Sequence, residues 1–139
     1  MSDDELYTQM QNEKASESAA DIVIAEDDPY ISRMYDFKLG LTGHRVAVAS
    51  SGEEAVELIK KNQPKLVLID IYMPELNGFE VIESLLGEKY DLTKTEFVFL
   101  TNSTRKADMD KAKSMNADYL VKANLTPGEV TNIIKEKLA

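Results

Sequence analysis

The chain has 139 residues and a formal net charge of −9, with 25 Asp and Glu against 16 Lys and Arg, one His and no Cys or Trp. That length suits one globular domain, the missing cysteines exclude a disulfide framework, a thiolate metal site and a Cys nucleophile, and the lone His44 leaves almost no room for zinc or triad chemistry. The acidic balance opposes direct contact with nucleic acid or an anionic membrane surface, and an acidic start (Ser2-Asp3-Asp4-Glu5) without a long apolar run predicts a cytoplasmic protein with no signal peptide and no spanning helix.

Residues 1–20 hold Asp3, Asp4, Glu5, Glu13 and Glu17 against Lys14, a net −4, with few residues able to seed a core. Composition predicts a disordered acidic extension, and residues 21–139 form the domain. Ile22-Val23-Ile24-Ala25 opens it as a continuous apolar run, the pattern of a strand buried on both faces. Asp28-Pro29 then reads as N-cap and first helical residue, ahead of Ile31, Met34, Tyr35 and Leu39 at helical spacing. His44 has no partner pattern and is expected to be exposed. Val46 and Val48 suggest a weaker edge strand, and Ser51-Gly52-Glu53-Glu54 is a capping box before Ala55, Val56, Leu58 and Ile59.

The second half repeats the alternation. Leu66-Val67-Leu68-Ile69 is a buried strand, and Asn77-Gly78 precedes a helix with Phe79, Val81, Ile82, Leu85 and Leu86 on its apolar face. Phe97-Val98-Phe99-Leu100 is the fourth strand. The next helix, about 104–115, has a thin apolar face of Ala107, Ala112 and Met115 and should be the least firmly docked. Tyr119-Leu120-Val121 is the fifth strand, and Thr126-Pro127-Gly128-Glu129 caps a last helix bearing Val130, Ile133, Ile134 and Leu138. Five strands and five helices in alternation predict an α/β fold, a doubly wound parallel sheet in which ligands bind beyond the carboxyl ends of the strands.

At those ends stand Glu26, Asp27 and Asp28 after the first strand, Asp70 after the third, Thr101 after the fourth and Lys122 after the fifth. Two like charges about 4 Å apart repel by about 4 kcal/mol at an effective dielectric near 20, so such a cluster calls for a cation. An all-oxygen donor set suits Mg²⁺, or Mn²⁺, and not zinc or copper. The same set can handle a phosphoryl group: a carboxylate as nucleophile, a metal to neutralise non-bridging oxygens, and a lysine and a hydroxyl for the remaining ones. Glycine-rich nucleotide-binding motifs are absent.

These residues resemble the receiver domain of two-component response regulators over about 21–138. Glu26-Asp27 matches the acidic pair after the first strand, and Leu66-Val67-Leu68-Ile69-Asp70-Ile71-Tyr72-Met73-Pro74 with Asn77-Gly78 matches the phosphoacceptor strand and its turn. Leu100-Thr101-Asn102 matches the switch-hydroxyl strand end, and Tyr119-Leu120-Val121-Lys122 the strand ending in the lysine. The resemblance implies a flavodoxin-like sheet of order 2-1-3-4-5 and phosphorylation of Asp70 by a histidine kinase or histidine phosphotransfer protein. It implies Mg²⁺ on Asp27 directly, on Glu26 through water, on Asp70 and on the backbone carbonyl of Tyr72. It further implies phosphoryl contacts from Thr101 and Lys122, and an aromatic switch at Tyr119 that alters the face formed by the 104–115 helix, the fifth strand and the last helix.

The resemblance also implies a signalling switch and not an enzyme acting on a separate metabolite. The chain ending with the last helix adds the expectation of a single-domain regulator, monomeric or dimerising on phosphorylation, that acts on a downstream protein target either as an effector or as a phosphorelay intermediate. A phosphatase of the haloacid dehalogenase type would want a second acid where Tyr72 stands, and a binding module without phosphorylation chemistry would not need the full acidic, hydroxyl and lysine set. Departures from the family pattern are Ala123-Asn124 in place of a proline after the lysine, Asn102 beside the switch hydroxyl, and the large Tyr72, expected to shield an acyl phosphate on Asp70.

Overall fold

The computed structural model describes residues 1–14 and 19–139. Its elements run α1 (Asp3–Lys14), β1 (Ile22–Ala25), α2 (Pro29–Gly40), β2 (Val46–Ala49), α3 (Gly52–Asn62), β3 (Leu66–Ile69), α4 (Gly78–Gly87), β4 (Glu96–Thr101), α5 (Lys106–Ser114), β5 (Asp118–Val121) and α6 (Pro127–Lys137), with 3₁₀ turns at Leu92–Lys94 and Lys122–Asn124. The five strands form one parallel sheet in the order β2-β1-β3-β4-β5. The expected topology stands.

The continuous apolar runs divide residue by residue between two cores. Val23, Ala25, Val67, Ile69, Phe97 and Phe99 face a layer with Ala55, Val56 and Ile59 of α3, Phe79, Ile82 and Leu85 of α4, and Ala112 of α5. Ile22, Ile24, Leu66, Leu68, Val98 and Leu100 face Tyr35 and Leu39 of α2 and Val130 and Ile134 of α6. Alternate side chains of a strand point to opposite faces, so a sheet covered twice requires apolar residues at every position.

The helix starts follow from their caps. Asp28 accepts the backbone N–H groups of Tyr30 and Ile31 ahead of Pro29, and Ser51 accepts that of Glu54. Asn77 with Glu80 and Thr126 with Glu129 form reciprocal boxes. Gly52 begins α3 against the loop after β3, where a β-carbon would overlap the carbonyl oxygen and Cβ of Leu76. Gly52→Ala is therefore expected to lower stability by about 1–3 kcal/mol, read from the urea midpoint, because a backbone atom must move to admit the methyl.

Three expectations need correction. Six α-helices occur among the described residues where five were expected, because Asp3–Lys14 of the supposed disordered extension is helical; residues 15–18 of that extension lie outside the described residues. The helix α1 is held on α2 by polar contacts: Tyr7 Oη and Gln11 Nε2 each donate to Oδ2 of Asp36 at 2.8 Å, and Arg33 pairs with Asp4 while lying over the Tyr7 ring. Asp36 is 1% exposed, so α1 supplies donors that a buried carboxylate needs. Burial and the hydrogen bond to Asp36 push the Tyr7 phenol up to about 12. Composition counts apolar residues and misses a docking of this kind. Next, α5 exposes Ala107 and buries Asp108 beside Ala112. Finally, His44 is half-buried, with Nδ1 3.7 Å from Asp21.

Candidate functional site

Parallel register brings the strand ends level. Ala25 pairs with both Ala49 and Ile69, and Ile69 with Phe99, so Glu26 and Asp70 leave neighbouring strands side by side. Thr101 ends β4 opposite Val121, which places Lys122 next along β5. The site thus assembles from adjacent strand ends without help from a distant loop.

Glu26 is 6% exposed and has both oxygens engaged. Lys122 Nζ donates to its Oε1 at 2.6 Å, and the Asp28 backbone N–H donates to its Oε2 at 3.3 Å. Burial raises the Glu26 pKa above the usual carboxylate range, against the opposing pull of Lys122. Burial works to lower Lys122, but its hydrogen bond to Glu26 and the charges of Asp70 and Glu26 outweigh it and hold the ammonium above its ordinary value. Lys122 also donates to Asp70 Oδ2 at 3.2 Å.

The other oxygen of Asp70 is the informative atom. Oδ1 is buried without a hydrogen-bond partner, alone in this among the described side chains. Buried acceptors are ordinarily paired. One carboxylate oxygen from each of Glu26, Asp27 and Asp70 lies within 4.8 Å of the other two, and Asp70 carries an orphaned acceptor, so the donor set fits a hard divalent cation such as Mg²⁺. Thr101, 1% exposed, accepts the Ser103 backbone N–H on Oγ at 3.3 Å. Its hydroxyl proton is left to donate elsewhere.

Behind this group lies a network that sequence reasoning missed. Tyr72 is half exposed, and its hydroxyl donates to Asp108 Oδ2 at 2.8 Å while accepting from Arg105 at 3.1 Å. The Ser103 hydroxyl donates to the same Asp108 oxygen at 2.6 Å, and the Tyr119 hydroxyl donates to the Ser103 carbonyl at 2.8 Å. The Ser103 hydrogen bond lowers the Asp108 pKa, with burial opposing and Tyr72 assisting. Burial raises that of Tyr119. The signal available in advance was an acid at a core-facing position of a helix with too few apolar residues. After Lys122 the chain makes a 3₁₀ turn through Ala123 and Asn124, and no cis peptide bond occurs among the described residues. Asn102 is exposed.

An acidic cluster and a lysine at the carboxyl edge of a 2-1-3-4-5 parallel sheet define a class of α/β domain whose clustered carboxylates could hold a divalent cation. The family model for the response regulator receiver domain matches residues 22–135, and the chain belongs to that family, the receiver domains of two-component response regulators. Among curated proteins it is 29% identical over 109 residues to the response regulator SaeR of Staphylococcus aureus, a match covering 78% of this chain and 46% of that protein. The chain thus spans under half the length of that relative. Among solved structures, the CheY-like receiver domain protein of Methanospirillum hungatei superposes with a TM-score of 0.75 at 24% identity, covering 87% of this chain and 94% of that one. The BeF3-activated N-terminal receiver domain of Klebsiella pneumoniae RstA does so with a TM-score of 0.72 at 29% identity, covering 84% and 97%. Among the described residues no helix is long and apolar enough to cross a membrane.

Proposed function

We propose that the chain is a phosphorylation-driven switch that accepts a phosphoryl group on Asp70 from a histidine kinase or a histidine phosphotransfer protein in the cytoplasm. The observation that carries this reading is the pairing at Asp70 of one carboxylate oxygen held by Lys122 with another that is buried and unpartnered, on a residue clustered with Glu26 and Asp27. An Asp70 oxygen attacks phosphorus, the phosphorus–nitrogen bond of the donor's phosphohistidine breaks, and an acyl phosphate forms. Lys122, already 3.2 Å from Asp70, follows the charge onto a phosphoryl oxygen, and the Thr101 hydroxyl donates to another. Return to the free carboxylate takes water at phosphorus.

Glu26, Asp27, Asp70 and the Tyr72 backbone carbonyl are the groups that would hold Mg²⁺, with Mn²⁺ able to substitute. When bound, the ion neutralises non-bridging phosphoryl oxygens. Thr101 and Tyr119 are the switch residues in this reading, and the α5–β5–α6 face is the surface that a downstream protein reads. Tyr72, beside the acceptor, slows loss of the phosphoryl group.

The test is intact mass after incubation with Mg²⁺ and a small phosphodonor. The chain should gain one phosphoryl group and Asp70→Asn none. A wild-type chain that gains nothing, or a gain that survives Asp70→Asn, overturns the reading.

A further inference from the structure

Asp108 is 8% exposed, and with Ala112 it is one of only two buried residues of α5. The other ties of the helix are polar: Lys111 lies over the Phe79 ring of α4, and Arg105 donates to the Tyr72 and Ser103 hydroxyls. Its N-cap, Arg105, makes no side-chain cap bond, and the Lys111–Glu83 ion pair to α4 is half exposed and worth little. The two hydroxyls bound to Asp108 Oδ2 come from symmetrical places in the site. Tyr72 lies two residues after Asp70 and Ser103 two residues after Thr101. Ser103 also donates its N–H to Thr101 and lends its carbonyl to Tyr119. A single carboxylate oxygen therefore joins the loop after β3, the loop after β4 and α5.

Resting on the phosphoacceptor reading, we propose that Asp108 is the positioning residue through which a change at Asp70 and Thr101 reaches α5. When the Thr101 hydroxyl turns toward a phosphoryl oxygen, Ser103 is displaced with it, and the bond from the Ser103 hydroxyl to Asp108 delivers that displacement to a helix whose one buried apolar residue is the small Ala112. Small shifts become discrete rearrangements where an element is weakly held and two packings lie close in energy.

The experiment uses the full chain, with backbone amides followed by NMR and hydrogen exchange, and beryllium fluoride with Mg²⁺ as the phosphoryl mimic. In Asp108→Ala, exchange protection of residues 106–114 should fall at least tenfold while β1 and β3 keep theirs. The mimic should still bind within about threefold of the wild-type affinity, read on residues 71–78, but the shift changes it causes in α5 should shrink at least fivefold. Asp108→Asn keeps a side-chain acceptor of the same shape and should restore most of both. Should Asp108→Ala fail to fold, Tyr72→Phe combined with Ser103→Ala removes both donors and should uncouple α5 in the same way. An α5 response equal to wild type in these variants overturns the proposal, as does an Asp108→Asn no better than Asp108→Ala, which would make charge or packing the determinant. A wild-type chain that binds no mimic instead overturns the phosphoacceptor reading, and unchanged α5 protection in Asp108→Ala then overturns the anchoring role separately.

Discussion

Lys122→Met is expected to destabilise the metal-free protein by about 3–5 kcal/mol at neutral pH, the cost typical of removing one partner from a buried charge pair. The Lys122 and Glu26 side chains are only 17% and 7% exposed, and the ammonium stands 2.6 Å from Glu26 and 3.2 Å from Asp70. Methionine fills much of the same volume, so the loss reports the charge more than the packing. The pH dependence carries the sign. In the wild type the raised Lys122 pKa gives a contribution fully present below the ordinary lysine value of 10.5 and lost as pH rises through the higher folded value. In the variant, burial of Glu26 is no longer opposed, so its folded pKa rises further above 4.5 and the folded state binds protons that the unfolded state has released. Stability of the variant should therefore fall as pH rises above 4.5, whereas the wild type keeps its lysine contribution. Urea midpoints from pH 4.5 to 8 test this, and a flat profile with less than about 1 kcal/mol lost would refute it.

Asp70→Asn is expected to move stability the other way, raising it by about 1–2 kcal/mol without metal. The substitution removes a negative charge from beside Glu26 and Asp27, where like charges repel strongly at low effective dielectric, and it keeps an acceptor for Lys122. A site built for chemistry commonly holds such strain against the fold. Mg²⁺ should reverse the ranking. At about 100 times its dissociation constant an ion that binds only the native state adds about 2.7 kcal/mol to the wild type, and the asparagine variant should gain far less. Thermal melts of both proteins with and without Mg²⁺ read all four values. A variant less stable than wild type in EDTA, or one that responds equally to Mg²⁺, would show that Asp70 is not the strained metal-binding acid.

Much of this was legible beforehand, and for a physical reason. A parallel sheet covered on both faces needs unbroken apolar runs, and the residue after each run must emerge at the carboxyl edge. Glu26, Asp70, Thr101 and Lys122 were therefore placed by counting, and register then set them level. Capping residues were equally local signals. Asp28, Asn77 and Thr126 act within three residues of themselves.

What only the tertiary structure decided were polar pairings between residues far apart in the chain. Asp36 reads as a solvated helical acid until Tyr7 and Gln11, 29 and 25 residues earlier, dock upon it and make a helix of a polar segment. Asp108 reads as surface until Tyr72, 36 residues earlier, and Ser103 converge on one of its oxygens. Lys122 could have favoured either acid, and its shorter bond goes to Glu26, which leaves an oxygen of Asp70 free for other chemistry. Hydrophobic burial is non-directional and repeats with the local period of the backbone, so it is written along the sequence. A hydrogen bond needs its partner at one distance and angle, and the partner's place is set only when the whole chain has packed.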